Sequence, residues 1–130
     1  MAKLIHSMIR VQDLARSLAF YQRGFGLAES HRLEFPSFSL VYLREPVSGF
    51  EIELTWNKGQ AEPYTHGSGY GHMAFAVADL AAQRELLLGL GYPAGDIKSL
   101  NAPNGAAKFF FITDPDGYKV EVLESSGHYV

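Results

Sequence analysis

Residues 5–14, IHSMIRVQDL, have a counterpart 66 residues later in residues 71–80, GHMAFAVADL. In both stretches a histidine is followed at the same separations by a valine, an aspartate and a leucine. Self-similarity at a fixed separation is typical of a duplicated structural unit. We therefore expect two halves that are built to the same plan, one beginning near His6 and the other near His72.

Each repeated stretch reads as a strand that leads into a helix. Asp13 and Asp79 follow the strands, and a carboxylate at that position caps a helix by accepting from its free backbone donors. Residues 14–25 carry apolar side chains at helical spacing, as do residues 80–90, and glycines close both segments. A helix is thus predicted directly after each first strand.

Further strands are predicted after each helix. In the first half they are residues 33–43, broken at Pro36, and residues 50–56. In the second half they are residues 108–113 and 118–123, joined by the turn Asp114-Pro115-Asp116-Gly117. Each half therefore reads strand, helix, then two or three strands.

The connection between the halves is predicted at residues 58–70, which contain Pro63 and three glycines and have no apolar period. The expected organisation is one domain over residues 1–130, with repeats at 1–57 and 71–130 on either side of this linker. The mixture of helices and sheet predicts an α+β fold.

Alternation along the strands predicts which side chains share a face. His6 and Arg10 lie on one face of the first strand, and Glu53 and Asn57 lie on one face of residues 51–57. In the second half, His72 and Glu121 alternate with apolar neighbours in the same way. Each half should present an apolar face under its helix and a concave polar face with one histidine and one glutamate.

The recurrence of this pair is more informative than either residue alone. A single strand histidine is usually hydrogen-bonded in a core, and a single strand glutamate is usually solvated. Here the histidine and the glutamate are 47 residues apart in the first half and 49 in the second. Pairing the halves about a pseudo-two-fold axis would bring together His6, Glu53, His72 and Glu121. By contrast, His31, His66 and His128 have no repeat partner, so we interpret them as surface or loop residues.

Composition limits the chemistry of such a site and its partners. The chain has no cysteine, so only nitrogen and oxygen ligands are available, which suits nickel, cobalt or manganese, or zinc of raised coordination number. The net charge of −3 is scattered along the sequence, which argues against nucleic acid or an anionic membrane as a partner. The first residues have no secretory signal, and no apolar run approaches the roughly 18 residues of a membrane span. We expect a cytoplasmic protein.

Five stretches of the sequence resemble glyoxalase I of the vicinal oxygen chelate superfamily, and the resemblance extends over nearly the whole chain. They are residues 5–11 (IHSMIRV), 17–21 (SLAFY), 52–57 (IELTWN), 69–72 (GYGH) and 114–123 (DPDGYKVEVL). The last stretch occurs across the superfamily, whereas Glu53 in its Glu-Leu-Thr context, together with Asn57 and residues 69–72, is closer to glyoxalase I itself. One departure is visible, because Lys58 follows Asn57 where the family usually has tryptophan.

The resemblance implies paired βαβββ modules that form a concave metal-binding cleft, in a homodimer whose sites use both chains. It implies isomerisation of the hemithioacetal of methylglyoxal and glutathione to S-lactoylglutathione, through an enediolate. The implied metal ligands are His6, Glu53, His72 and Glu121, with one divalent ion per site and nickel or cobalt favoured over zinc. Glu121 is the implied base with Glu53 in a mirrored role, and Arg10 and Asn57 match positions that hold the glutathione moiety.

Other functions occur on the same fold and remain alternatives. One is another enzyme of the superfamily: an epimerase of acyl thioesters, a thiol transferase or an extradiol dioxygenase. Another is a metal-free protein that sequesters bleomycin-like drugs. The discriminating residue is Glu53, since a dioxygenase would use two histidines and one glutamate on iron, and the drug-binding proteins generally lack the four-ligand set.

Overall fold

Both halves of the chain adopt the same order of elements in a computed structural model that describes residues 1–130. Two units are present, Met1–Thr65 and His66–Val130. The first contains β1 (His6–Val11), α1 (Leu14–Phe25), β2 (Ala28–Glu34), β3 (Phe38–Arg44) and β4 (Glu51–Asn57). The second contains β5 (His72–Val77), α2 (Leu80–Gly89), β6 (Lys98–Ala102), β7 (Gly105–Thr113) and β8 (Lys119–Glu124). The predicted α+β fold with two βαβββ modules is confirmed.

Each unit contains one four-stranded mixed sheet. The strand order is β1-β4-β3-β2 in the first unit and β5-β8-β7-β6 in the second. The first and last strands of each unit pair in parallel, and the remaining pairs are antiparallel. This topology makes the histidine-bearing strand and the glutamate-bearing strand neighbours in both units.

Aspartate caps start both helices, as predicted. The Asp13 side chain accepts a hydrogen bond from the backbone nitrogen of Arg16 at 3.1 Å, and Asp79 accepts from Ala82 at 2.9 Å. The helix α1 ends at Gly26, whose φ of 71° is the left-handed conformation in which a glycine costs least. With 12 and 10 residues, neither helix has the length and apolar character to cross a bilayer.

Burial follows the predicted alternation. Ile9, Val11 and Leu54 are buried, whereas Arg10 on the opposite face of β1 is exposed. The core of the first unit adds Phe20 and Tyr21 from α1, both without exposed surface. The histidines and glutamates therefore lie on the sheet face opposite the buried apolar core.

Three details of the secondary structure differ from prediction. The segment predicted over residues 33–43 is interrupted at Pro36 as expected, since proline cannot donate to a ladder, but the strand before the interruption, β2, begins at Ala28 and not at Leu33. The strand β6 was not predicted, since its five residues are all exposed and carry no apolar alternation. Ile5, which by alternation belongs with Ile9 and Val11 on the apolar face, precedes β1 and is 56% exposed.

The turn between β7 and β8 has the predicted form. The Asp114 carboxylate accepts hydrogen bonds from the backbone nitrogens of Asp116 and Tyr118, both at 2.9 Å. Gly117 has a φ of 84°, a conformation that favours glycine. The turn fixes the start of β8 and hence the position of Glu121.

Candidate metal and substrate site

His6 and Glu53, the first histidine–glutamate pair, lie on the neighbouring parallel strands β1 and β4 of unit 1. His6 is the Cα partner of Glu51, so Glu53 lies two residues further along β4 on the same face. The Nε2 atom of His6 is 3.3 Å from Oε2 of Glu53. The Glu53 side chain is 12% exposed and that of His6 is 34% exposed. The pair is thus partly sheltered but accessible from one side.

The carboxylate of Glu51 is on the same face but is engaged elsewhere. Arg44 approaches its Oε2 atom at 3.3 Å, and the Ser30 hydroxyl donates to the same oxygen. These contacts tie Glu51 to β2 and β3, and Glu53 is the carboxylate that contacts His6.

Unit 2 repeats the first pair. His72 is the Cα partner of Lys119, which again places Glu121 two residues along the neighbouring parallel strand. The Nε2 atom of His72 is 3.5 Å from Oε1 of Glu121, and the two side chains are 39% and 18% exposed. The duplication seen in the sequence is therefore also a duplication of side-chain geometry.

An aromatic ring stands edge-on to the histidine in both units. Tyr42 is the Cα partner of Glu53, and its ring centroid is 5.7 Å from that of His6 at an interplanar angle of 71°. Phe111 is the Cα partner of Glu121, and its ring centroid is 5.2 Å from that of His72 at 83°. Histidine, glutamate and aromatic ring thus form the same triad twice.

The two triads differ in one hydroxyl group, which Tyr42 has and Phe111 lacks. Hydrogen bonding to the Glu53 carboxylate, burial, and the negative charges of Glu53 and Glu51 raise the pKa of Tyr42 above its ordinary value. Phe111 has no hydroxyl to offer Glu121. The aromatic position beside the glutamate thus carries a hydroxyl in the first unit and none in the second.

The donors of each pair fit a shared divalent cation. Two ligands at about 2.1 Å from one ion are separated by roughly 3.0–3.4 Å when the angle between them is between octahedral and tetrahedral values. The separation of 3.3 Å in the first unit lies within that range, and the separation of 3.5 Å in the second lies just above it. Imidazole nitrogen with carboxylate oxygen is a donor set that nickel, cobalt and zinc accept. The structure places the four predicted ligands in two separate pairs, His6 with Glu53 in the first unit and His72 with Glu121 in the second. No cluster of three or more metal-ligating side chains is present.

The predicted substrate residues both lie in unit 1. Arg10 is an exposed residue of β1, on the same face as His6 by alternation, and is the Cα partner of Thr55. Asn57 ends β4, and its Nδ2 atom donates to the Tyr64 hydroxyl at 3.1 Å. Lys58, which follows Asn57, donates from its Nζ atom to the backbone oxygen of Phe35 at 3.3 Å.

Sequence reasoning missed Tyr42, Phe111 and Tyr64. A signal for the first two was available, because an aromatic residue precedes the glutamate by 11 positions in the first half and by 10 in the second. No comparable signal existed for Tyr64, which lies in the segment predicted as a linker. Its contact with Asn57 depends on how residues 58–64 turn back after β4.

The three histidines without repeat partners have separate surroundings. His31 is exposed on β2, beside Tyr42 at 6.0 Å between ring centroids, and His128 stands edge-on to Tyr129 near the end of the chain. His66 is in the loop before β5, where its ring stacks on Tyr118 at 4.1 Å and its Nε2 atom has no hydrogen-bond partner. None of the three joins either histidine–glutamate pair.

A cavity of about 560 Å³ lies elsewhere in unit 1, between the start of α1 and the sheet. Its lining includes Gln12, Leu18, Arg32 and Trp56, and none of the predicted site residues. Neither histidine–glutamate pair lines this cavity.

A family model, relatives by sequence and solved structures all show similarity of this chain to glyoxalase-type proteins. Residues 3–122 match the family model described as Glyoxalase/Bleomycin resistance protein/Dioxygenase superfamily. A lactoylglutathione lyase of Haemophilus influenzae is 37% identical over 131 residues, covering 95% of this chain and 93% of that protein. The trypanothione-dependent glyoxalase I of Leishmania major is similar in structure, with a TM-score of 0.77, 31% identity and coverage of 95% of this chain and 87% of that one. Glyoxalase I from Zea mays has a TM-score of 0.81 and 29% identity, and the match covers 93% of this chain and 44% of that one.

Proposed function

Since the chain belongs to the Glyoxalase/Bleomycin resistance protein/Dioxygenase superfamily, we propose that it is a metal-dependent lactoylglutathione lyase. The reaction converts the hemithioacetal of methylglyoxal and glutathione to S-lactoylglutathione. The observation that carries the proposal is the recurrence of one imidazole and one carboxylate, 3.3 and 3.5 Å apart, on equivalent strands of both units. Curated relatives with that activity support it over nearly the full length of the chain.

The proposed ligand set is His6, Glu53, His72 and Glu121 around one divalent ion, with nickel or cobalt favoured over zinc. Each unit supplies two of the four donors. We propose that each four-ligand set is completed in a homodimer, in which a site takes residues from both chains. When bound, the ion acts as a Lewis acid that stabilises negative charge developing on the two adjacent oxygens of the substrate.

The reaction itself moves one proton between adjacent carbons of the substrate. In the proposal, the Glu121 carboxylate accepts the proton from the carbon that bears the sulfur, which leaves an enediolate. The same proton is then delivered to the neighbouring carbon, while the hydroxyl proton of the sulfur-bearing carbon passes to the adjacent oxygen, so that the former becomes the thioester carbonyl and the latter the new hydroxyl. Glu53 has the mirrored position on the other side of the substrate. A base placed in this way contributes about 10²–10⁴ in rate.

Glutathione binding is assigned to Arg10 and Asn57. The Arg10 guanidinium is exposed on the strand that carries His6, and a guanidinium pairs well with the carboxylates of a peptide. The amide of Asn57 lies at the end of the strand that carries Glu53 and is oriented by Tyr64. Glutathione thus enters as part of the substrate. We place the reaction in the cytoplasm, where a glutathione pool is maintained, with no nucleic-acid or membrane partner.

The position of Glu53 favours this function over the alternatives on the same fold. A dioxygenase site with two histidines and one glutamate on iron would leave the second glutamate without a role. Here Glu53 contacts His6 at 3.3 Å and is the more sheltered of the two glutamates. A drug-sequestering protein would have no use for either histidine–glutamate pair.

The decisive test is a lyase assay on the purified, nickel-loaded protein with methylglyoxal and glutathione. We expect formation of the S-lactoylglutathione thioester, and no thioester when glutathione is omitted. The alternative, a drug-sequestering protein, is tested on the same preparation by titration calorimetry with a bleomycin-like drug. Drug binding without thioester formation under any divalent ion would refute the lyase assignment.

Replacing Arg10 by alanine should raise the KM for the glutathione hemithioacetal. We expect an increase of about tenfold or more, the scale of one lost charge-assisted hydrogen bond, with kcat little changed. Steady-state kinetics on the nickel-loaded variant measure both constants. The matched control is Arg23→Ala, which removes an exposed guanidinium from the last turn of α1 and should leave KM unaltered. An unchanged KM in the Arg10 variant would exclude it from substrate binding.

A further inference from the structure

Three aromatic rings of unit 2 form a cluster where its two ligand-bearing strands begin. The imidazole of His66 stacks on the ring of Tyr118, with the ring centroids 4.1 Å apart and an interplanar angle of 9°. Tyr70 stands edge-on to both, with its ring centroid 6.0 Å from that of His66 and 5.2 Å from that of Tyr118. We call His66, Tyr70 and Tyr118 the ring cluster.

The ring cluster joins the segment before β5 to the segment before β8. Tyr70 comes two residues before His72, the first residue of β5, and Tyr118 immediately precedes the first residue of β8. His66 also lies against the turn between β7 and β8, because a Cβ atom added at Gly117 would be 3.5 Å from the Cε1 atom of His66. One imidazole thus contacts the segments that lead into both strands.

The ligand pair of unit 2 is close to these two segments. His72 begins β5, and Glu121 is only two residues beyond the start of β8. The ends of an element open more readily than its centre, so the position of a ligand near a strand start depends on what holds the chain before it.

Unit 1 has no counterpart of the ring cluster. By the register of the parallel strands, the positions equivalent to Tyr70 and Tyr118 are Leu4 and Phe50. Leu4 has no ring and is 82% exposed. The ring cluster is therefore a feature of the second ligand pair alone.

Stacking, and not hydrogen bonding, holds the imidazole of His66. Its Nε2 atom is sealed from solvent and has no hydrogen-bond partner. Aromatic rings at these separations attract one another beyond the effect of burying their surface. Burial raises the pKa of Tyr70 above its ordinary value and the charge of Asp114 adds to the rise, which agrees with the packing of Tyr70 near the turn before β8. What His66 supplies is a flat ring, which a phenyl group would also supply.

We propose that His66 is a positioning residue, whose ring fixes the segments entering β5 and β8 and thereby the placement of His72 relative to Glu121. This inference rests on the proposed function, in which those two side chains bind the metal ion. Groups that orient ligands without touching the metal commonly influence its affinity. The distance that the ring cluster maintains is the 3.5 Å between Nε2 of His72 and Oε1 of Glu121.

The test removes rings of the cluster singly, in His66→Ala and Tyr70→Ala. Nickel affinity is measured on the metal-stripped proteins by competition with a chromogenic chelator. The visible absorption spectrum of the cobalt-loaded proteins reports the geometry of the ligands. Both variants should bind nickel about tenfold more weakly, the lower end of the usual effect of removing a group that orients a ligand. Their cobalt spectra should differ from that of the original protein.

The variant His66→Phe separates the ring from its nitrogens. It keeps a flat ring, so it should restore both the nickel affinity and the cobalt spectrum. It also removes a buried nitrogen that has no partner, so thermal unfolding of the metal-stripped variant should occur at or above the original temperature. If His66→Phe folds but binds nickel as weakly as His66→Ala, the positioning by a flat ring is wrong.

The matched control is His128→Ala, which removes an exposed imidazole from a different aromatic pair, that with Tyr129. It should alter neither nickel affinity nor the cobalt spectrum. Tyr70 is 39% exposed, so Tyr70→Ala decides the question if His66→Ala does not fold. Original nickel affinity and an original cobalt spectrum in the folded alanine variants would overturn the positioning role, even if their thermal stability fell.

The outcomes also distinguish this inference from the proposed function. An unmodified protein that binds nickel but forms no thioester would refute the lyase, and the affinities and spectra of the variants would still decide the role of His66. An unmodified protein that binds no divalent ion would overturn both. An active lyase whose alanine variants bind nickel normally would lose only the positioning role.

Discussion

Stripping the divalent ion should abolish turnover of the methylglyoxal–glutathione hemithioacetal, and adding back nickel or cobalt should restore it more fully than zinc. Deprotonation of the substrate places negative charge on two adjacent oxygens, and without a cation this charge has no strong stabiliser in the proposed site. Arg10 is the only cationic side chain among the proposed site residues, and it is assigned to glutathione. The measurement is the lyase assay on chelator-treated protein, followed by titration with each ion in turn.

Loss of activity on chelation has meaning only if the protein stays folded. The histidine–glutamate pairs lie on strands that are held by their sheets, and the buried cores of both units contain no metal ligand. We therefore expect the circular dichroism spectrum to survive metal removal and activity to return on re-addition. Elemental analysis should find one ion for each set of four ligands. Full lyase activity in chelated, metal-free protein would show that the metal mechanism is wrong.

The duplicated architecture could be derived from the sequence because two independent patterns agreed. The repeat of His6 and His72 with their following aspartates located both helices, and period-two alternation located the polar face of the strands. Both patterns are local, and neighbouring residues on one strand have their relative orientations determined by the pleat. The pairing of His6 with Glu53 then required only that the first and last strands of a unit be neighbours.

What could not be derived depends on contacts that local patterns do not encode. The strand β6 is fully exposed, so no apolar alternation marks it, and its existence follows from backbone pairing with β7. The placement of Tyr42 opposite Glu53 depends on the register between β3 and β4, which a sequence determines only through the whole hairpin. The segment after Asn57 turns back so that Tyr64 meets it, a contact between loop and strand with no periodic signature.

Replacing Glu121 by glutamine should lower kcat by about 10²–10⁴ while the fold survives, because an amide cannot accept the substrate proton. The side chain is nearly isosteric and partly exposed, so the sheet loses little packing. If Glu121 alone is the mobile base, Glu53→Gln should act differently: it should weaken nickel binding first, with kcat partly recovered at saturating nickel. Steady-state kinetics at several nickel concentrations distinguish the two variants.

The matched control for Glu121 is available three residues along the same strand. Glu124 lies on the opposite face of β8 by alternation and is within 4.0 Å of Lys108, so Glu124→Gln removes a carboxylate from β8 without touching the site. It should retain full turnover. If Glu121→Gln kept the original kcat, or if Glu53→Gln lost as much kcat at saturating nickel as Glu121→Gln, the division of labour between the glutamates would be wrong. The second result would point to two equivalent bases, one contributed by each unit.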